Sequence, residues 1–194
     1  MTSATEDKNS VRAKALARRD ALDEALRTEL ALRVAKIGAQ MIDFTPGTII
    51  SAFLPIRSEI DLRPLINNLY SKGARLCVPA VLDKKTIEFR ELKKNSELVN
   101  TGFGTFGPGP QAAVLDPEII LLPLAAFDLR GHRLGYGAGH YDRALARLHA
   151  KGLRPRLIGA AFACQQVEHV PQEDHDVGLD DILTENGLHH FQQP

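Results

Sequence analysis

The stretch Glu118 to Leu148, EIILLPLAAFDLRGHRLGYGAGHYDRALARL, constrains the fold more than any other part of the chain. An apolar run reads as a buried strand, glycines then alternate, and a helical pattern restarts at Tyr141, Asp142 and Arg143. Gly131, Gly135, Gly137 and Gly139 allow backbone amides to approach a ligand closely, and the following helix aims its positive end at the same place. The expected ligand is an anion, foremost a phosphate chain. Arg133 can fork onto phosphate oxygens, and Asp142 can hold the magnesium that accompanies a nucleoside triphosphate. The plainer alternative is a tight turn in which Asp142 serves as a helix N-cap.

Two familiar glycine loops are excluded by spacing. A dinucleotide fingerprint needs a glycine where His140 stands after Gly135 and Gly137, and no Gly-Lys-Ser or Gly-Lys-Thr triplet of a P-loop occurs. An ATP site in this chain would therefore take another form.

The 194 residues, 44% of them hydrophobic, suffice for one α/β core and are short for two domains, so a single domain spanning 1–194 is expected. With 24 basic and 24 acidic residues, no global field draws the chain to nucleic acid or to an anionic membrane. Cys77 and Cys164 lie in apolar segments and read as small core side chains of a reduced, cytoplasmic protein. No apolar segment is long enough to span a bilayer, and the first residues lack a secretory pattern and are expected to be disordered. A monomer acting on small molecules, with no nucleic-acid or membrane partner, is the expectation.

From Ser10 to about Met41 the pattern is helical, divided by an N-cap at Asp23. TIISAFLP, RLCVPAV, IEFREL, EIILLPLAAF and PRLIGAAF read as strands, with a last short one near Ile182; helices are expected at 62–72 and from the glycine loop to about Lys151. GFGTFGPGP reads as loop. Apolar strands alternating with helices imply an α/β three-layer sandwich around a mainly parallel central sheet, whose ligands sit at the carboxyl ends of the strands.

The run LPLAAFDLRGHRLGYGAGHYDRAL resembles the signature of the 5-formyltetrahydrofolate cyclo-ligases, the methenyltetrahydrofolate synthetases. The likeness is colinear from about Lys8 to Gly187. It includes the spacing of Lys8, Arg12 and Arg19, then FLPIRSEIDLRPLI with Glu59, AFACQQVEHVP, His175 with Asp176, and ILTENG. The chain departs from the family pattern at His140, where a tyrosine is usual, and at Gly107, where many bacterial members carry glutamate.

The resemblance implies the cyclo-ligase fold, related to those of sugar-phosphate isomerases and CoA transferases. It implies cyclisation of 5-formyltetrahydrofolate to 5,10-methenyltetrahydrofolate with ATP and Mg2+, releasing ADP and phosphate. Carried over residue by residue, Lys8, Arg12, Arg133 and the loop Gly135, Tyr136, Gly137, Ala138, Gly139, His140, Tyr141 and Asp142 would hold ATP. Asp142 would hold the metal, and Arg133, Tyr141 and Asp142 would be catalytic. Phe53, Leu54, Glu59 and Tyr141 would receive the folate, Glu59 accepting from the pterin's donors, although Phe53, Leu54 and Phe127 could equally be core. His169, Asp174, His175, Asp176, Asp180 and Asp181 read as turn and cap chemistry in place of a metal site, and His189 and His190 as an exposed tail. The rival readings are a catalytically silent member that senses nucleotide or folate, and a relative of the isomerases or CoA transferases that needs no ATP.

Overall fold

The computed structural model describes residues 3–102, 104–173 and 176–192. Helix α1 (Ser3–Asp20) and helix α2 (Glu24–Met41) are separated at Asp23, whose carboxylate accepts a 2.8 Å bond from the Leu26 N–H and whose extended ψ of 161° stops the first helix. The expected disorder of the first residues falls in part on positions 1 and 2, outside the described residues. Strand β1 (Ile49–Ser51), helix α3 (Arg63–Ser71), and strands β2 (Arg75–Val81) and β3 (Ile87–Glu91) follow. Then come β4 (Leu98–Gly102), β5 (Thr105–Pro108), β6 (Ile119–Leu122), β7 (Ala126–Phe127), β8 (Arg133–Leu134), helix α4 (His140–Ala150) and β9 (Arg156–Ala160). A 3-10 turn at Ala163–Gln165 leads to β10 (Asp181–Thr184) and β11 (Gly187–His190).

Seven strands form one sheet in the order β11-β10-β9-β6-β1-β2-β3. The five inner strands run parallel, and the edges β3 and β11 are antiparallel. The apolar run of β6 serves both faces in turn. Ile119 and Leu121 join the core under α2 and α3, whereas Ile120 and Leu122 join the core under α4. Each such burial stabilises by about 1.5–3 kcal/mol, which is why a strand at the centre of the sandwich is apolar throughout. On the neighbouring strand a Cβ at Gly159 would stand 2.8 Å from the side chains of Ile182, Leu124 and Leu179, so only glycine lets these layers close.

Three sequence expectations and one alternative reading are corrected. EIILLPLAAF is not one strand: β6 ends before Pro123, which has no N–H for a further ladder bond, and β7 leaves to pair antiparallel with β8. GFGTFGPGP is not simply a loop, because β4 and β5 form an antiparallel ribbon turned by Gly102 (φ 91°) and Gly104 (φ 76°). His189 and His190 are exposed but belong to the edge strand β11, not to a tail. Asp142 is not an N-cap: Gly139 is, at φ 65°, leaving Asp142 in the first turn of α4.

Helix α1 covers neither sheet face. Ala15 packs with Ala126, Leu134 and Val170, laying the helix across the β7–β8 ribbon. The chain reaches β2 on one side of β1 and β9 and β10 on the other side of β6, so the order reverses between β1 and β6. A crevice opens at such a reversal, outside the carboxyl ends of the strands.

Candidate active site at the switch point of the sheet

Three segments leave the carboxyl ends of neighbouring strands and meet in that crevice. Phe53 and Glu59 follow β1, Pro123 and Leu124 follow β6, and Ala160 and Gln165 end β9 and follow it; together with Arg19 and Tyr136 they line a cleft with about 150 Å3 of empty space. Phe53 is buried and also belongs to the core, Leu54 packs against that core, and Phe127 lies wholly within the core under α4. Gln165 is buried and fixes the cleft floor, donating to the Leu124 and Ala125 carbonyls at 2.8 and 3.2 Å.

Glu59 is held by its own loop, its Oε2 accepting from the Ile56 N–H at 2.9 Å. Burial raises its carboxyl above the ordinary value, opposed by that bond, by the Tyr136 hydroxyl and by the charge of Arg19. Arg57, two residues earlier, has φ 55°, a left-handed conformation that strains any residue with a Cβ.

The glycine loop is anchored at its start by Asp128. This buried carboxylate accepts from the N–H groups of Arg130 (2.9 Å), His132 (3.1 Å) and Val170 (3.0 Å), and from the Arg130 guanidinium at 2.6 Å. Burial works to raise its pKa, but these bonds prevail and hold it below the ordinary carboxylate value.

Beyond the anchor, β8 presents Arg133, whose side chain is only 7% exposed and whose Nη2 donates to Asp142 Oδ1. Arg12 of α1 reaches the same loop, Nε donating to the Gly135 carbonyl at 2.8 Å, with Nη2 lying 3.8 Å from where a Cβ on Gly137 would be. Gly137, at φ 95°, follows Tyr136 and precedes Ala138, whose carbonyl accepts from Arg143 Nη2 at 2.6 Å. Gly139 caps α4 without a side-chain bond to the helix. Three buried polar atoms at this junction have no partner: Arg133 Nε, His140 Nε2 and the Tyr141 hydroxyl. Burial pushes the Tyr141 phenol well above its ordinary pKa, so it stays a neutral donor.

The structure thus brings Arg12, Arg133, Gly135, Tyr136, Gly137, Ala138, Gly139, His140, Tyr141 and Asp142 to one place, with Glu59 across the cleft. Lys8 points elsewhere, pairing with Asp176 at 2.8 Å and Glu173 at 3.1 Å. Burial acts against its charge, but the two carboxylates raise its pKa overall. Of the acidic and histidine cluster near the C-terminus, Asp180 accepts from the Leu157 N–H at 2.7 Å and Asp181 pairs with Arg156 at 2.7 Å, while Asp174 and His175 lie outside the described residues.

A model of the 5-formyltetrahydrofolate cyclo-ligase family matches residues 4–185, which includes every side chain just described. The chain belongs to that family. It is 33% identical over 141 residues to the 5-formyltetrahydrofolate cyclo-ligase of Haemophilus influenzae, spanning 70% of this chain and 74% of that one. It is 30% identical over 176 residues to the cyclo-ligase of Escherichia coli, covering 86% and 94%. The solution structure of Aquifex aeolicus 5,10-methenyltetrahydrofolate synthetase superposes with a TM-score of 0.79 at 29% identity, over 96% of this chain and 94% of that one. Among the described residues of this cyclo-ligase family member, no helix is long and apolar enough to cross a membrane.

Arg19 and Asp128 carry site geometry that the sequence reading did not assign. A signal for Arg19 was present: Lys8, Arg12 and Arg19 stand at helical spacings of four and seven, on one face of α1. Asp128 stood in the run that resembles the family signature, but its role as an anchor was hidden, since its partners at Val170 and His132 are set by tertiary folding.

Proposed function

We propose that this protein converts 5-formyltetrahydrofolate to 5,10-methenyltetrahydrofolate with ATP, at the junction of the glycine loop and α4. One observation carries the reading. Three buried polar atoms without partners, Arg133 Nε, His140 Nε2 and the Tyr141 hydroxyl, belong to the glycine loop and the first turn of α4, where the helix N-terminus lacks a side-chain cap and where Arg12 and Arg143 bond to loop carbonyls. Buried polar groups are almost always paired in a native structure, so such a concentration marks a place built for an acceptor-rich ligand. A triphosphate meets that requirement.

The chemical difficulty is that nitrogen 10 of the folate must displace a formamide oxygen, a very poor leaving group. In the proposed route the formyl oxygen attacks the terminal phosphorus, forming an O–P bond as the bond to ADP breaks. Nitrogen 10 then attacks the formyl carbon and loses its proton, and phosphate leaves with the former formyl oxygen. There is little covalent work for the protein, which must align two substrates and neutralise charge. Arg133 and Arg12 would hold phosphate oxygens, and Gly137 and Gly139 would present amides. Glu59 would accept from the pterin's N–H groups, and Tyr141 would donate from beneath the loop. Lys8 would join the triphosphate by leaving Asp176 and Glu173.

Asp142 is suited to magnesium, being a partly exposed carboxylate at the head of the loop, and the ion when bound would add positive charge to the phosphate oxygens. The cleft as it stands leaves no room even for a water molecule, so its walls must part to admit a pterin. The test is turnover: purified protein with magnesium and ATP should convert 5-formyltetrahydrofolate to the methenyl product, read as rising near-ultraviolet absorbance. Folded protein giving no ATP-dependent rise would overturn the proposal.

A further inference from the structure

We propose that Arg19 is a positioning residue that ties the loop carrying Glu59 to the glycine loop, so that filling one substrate site sets the geometry of the other. The inference rests on the function proposed above and adds to it a linkage between the two substrates.

Arg19 lies in the last turn of α1 and is 5% exposed. A guanidinium so deep would ordinarily face a carboxylate, because its desolvation must be offset. The neighbouring Asp20 is 3.6 Å from Nε, beyond hydrogen-bond length, and mostly exposed. Asp20 and Glu59 supply countercharge at ion-pair range and across the cleft, but the hydrogen bonds of the fork go to two neutral hydroxyls from two different loops. Nε donates to Ser58 Oγ at 2.9 Å, next to Glu59, and Nη1 donates to the Tyr136 hydroxyl at 2.6 Å, in the middle of the glycine loop. Ser58 passes the contact on, donating to Asp20 Oδ1. The Tyr136 hydroxyl donates in turn to the Leu124 carbonyl at 3.3 Å and also acts on Glu59 across the cleft.

Both loops need such a tie. One is strained, with Arg57 at φ 55°; the other is freed by Gly137 and Gly139 at φ 95° and 65°. The helix between them is fixed by Ala15 packing on Ala126, Leu134 and Val170. A rigid two-pronged cation between two adjustable loops transmits displacement. When a pterin moves Tyr136 or the Ser58–Glu59 turn to reach Glu59, the same guanidinium moves the loop that meets the phosphates. For core stability alone an apolar residue would serve as well.

Lysine keeps the charge but offers one compact head, which cannot hold both hydroxyls in the fork geometry. The experiment is calorimetric binding of 5-formyltetrahydrofolate with and without the non-hydrolysable β,γ-imido analogue of ATP. In the parent chain the analogue should tighten folate binding on the order of tenfold, within the usual range of couplings between sites. Whatever Arg19→Lys does to the binding of either ligand alone, it should reduce that tightening to about twofold or less, with KM for each substrate raised when the other is saturating. Tyr136→Phe, which removes the acceptor at the loop end and leaves the helix intact, should lose the tightening too and decides the matter if Arg19→Lys does not fold. Binding of both ligands to the parent without any linkage, or a linkage untouched by these variants, overturns the inference alone. A parent chain that binds neither ligand overturns the functional reading and this inference with it.

Discussion

Asp142 and Arg133 neutralise each other across the mouth of the glycine loop, and each is the group that a metal–triphosphate complex would claim. Asp142→Asn separates the two roles that a carboxylate at this point can have. Asn retains an acceptor for Arg133 but leaves that largely buried guanidinium without its countercharge, so stability should fall by about 1–3 kcal/mol, at about 2–4 °C in Tm per kcal/mol for a chain of this size. Turnover should fall by roughly 10²–10³, the range for losing one charge-stabilising group in a polar transition state. Near-normal turnover with unchanged magnesium dependence would remove Asp142 from the chemistry. Glu59 makes a second, pH-dependent prediction. Its folded pKa is raised, chiefly by burial, so the folded state prefers the neutral acid. Its contribution to stability is fully present below the ordinary value of 4.5 and is lost as pH rises through the folded value. Glu59→Gln should therefore match the parent's Tm at about pH 4 and exceed it at about pH 8, while weakening folate binding because an amide also donates. Equal Tm differences at both pH values would show that Glu59 carries no such penalty.

At the scale of elements, the sequence showed what local chemistry determines. Asp23 announced the break between α1 and α2, the every-residue apolar run of β6 announced a doubly covered strand, and the glycines announced the loop before α4. What depended on partners distant in sequence stayed hidden. The β4–β5 ribbon exists because Gly102 and Gly104 turn it, yet the same glycines read as loop in isolation. Pro123 looked like one interruption in a strand, but it diverts the chain into a separate ribbon that carries Arg133 to the site. The role of α1 was the least legible, since nothing local says that a solvent-facing basic helix crosses the ends of a sheet. Its contact through Arg12 can be tested directly. Arg12→Ala should raise the KM for ATP by on the order of tenfold, with the folate KM changing less and Tm falling by only a few degrees, because the bonds lost are one to the Gly135 carbonyl and an exposed one to Asn9 within the same helix. A large fall in Tm with the ATP KM intact would make α1 scaffold alone.

For the whole molecule, the reversal of strand order between β1 and β6 creates the crevice in which we place the proposed site. It brings the loops after β1, β6 and β9 to one crevice, and α1 with the β7–β8 ribbon closes its side. The central claim is that this crevice joins ATP to the formyl group of a folate and expels the formyl oxygen as phosphate. The most direct measurement is the fate of that oxygen. With 5-formyltetrahydrofolate carrying an ¹⁸O-labelled formyl group, unlabelled ATP and magnesium, the account predicts one ¹⁸O in each inorganic phosphate formed alongside the methenyl product. Product formed with unlabelled phosphate, or phosphate released without product, would contradict it.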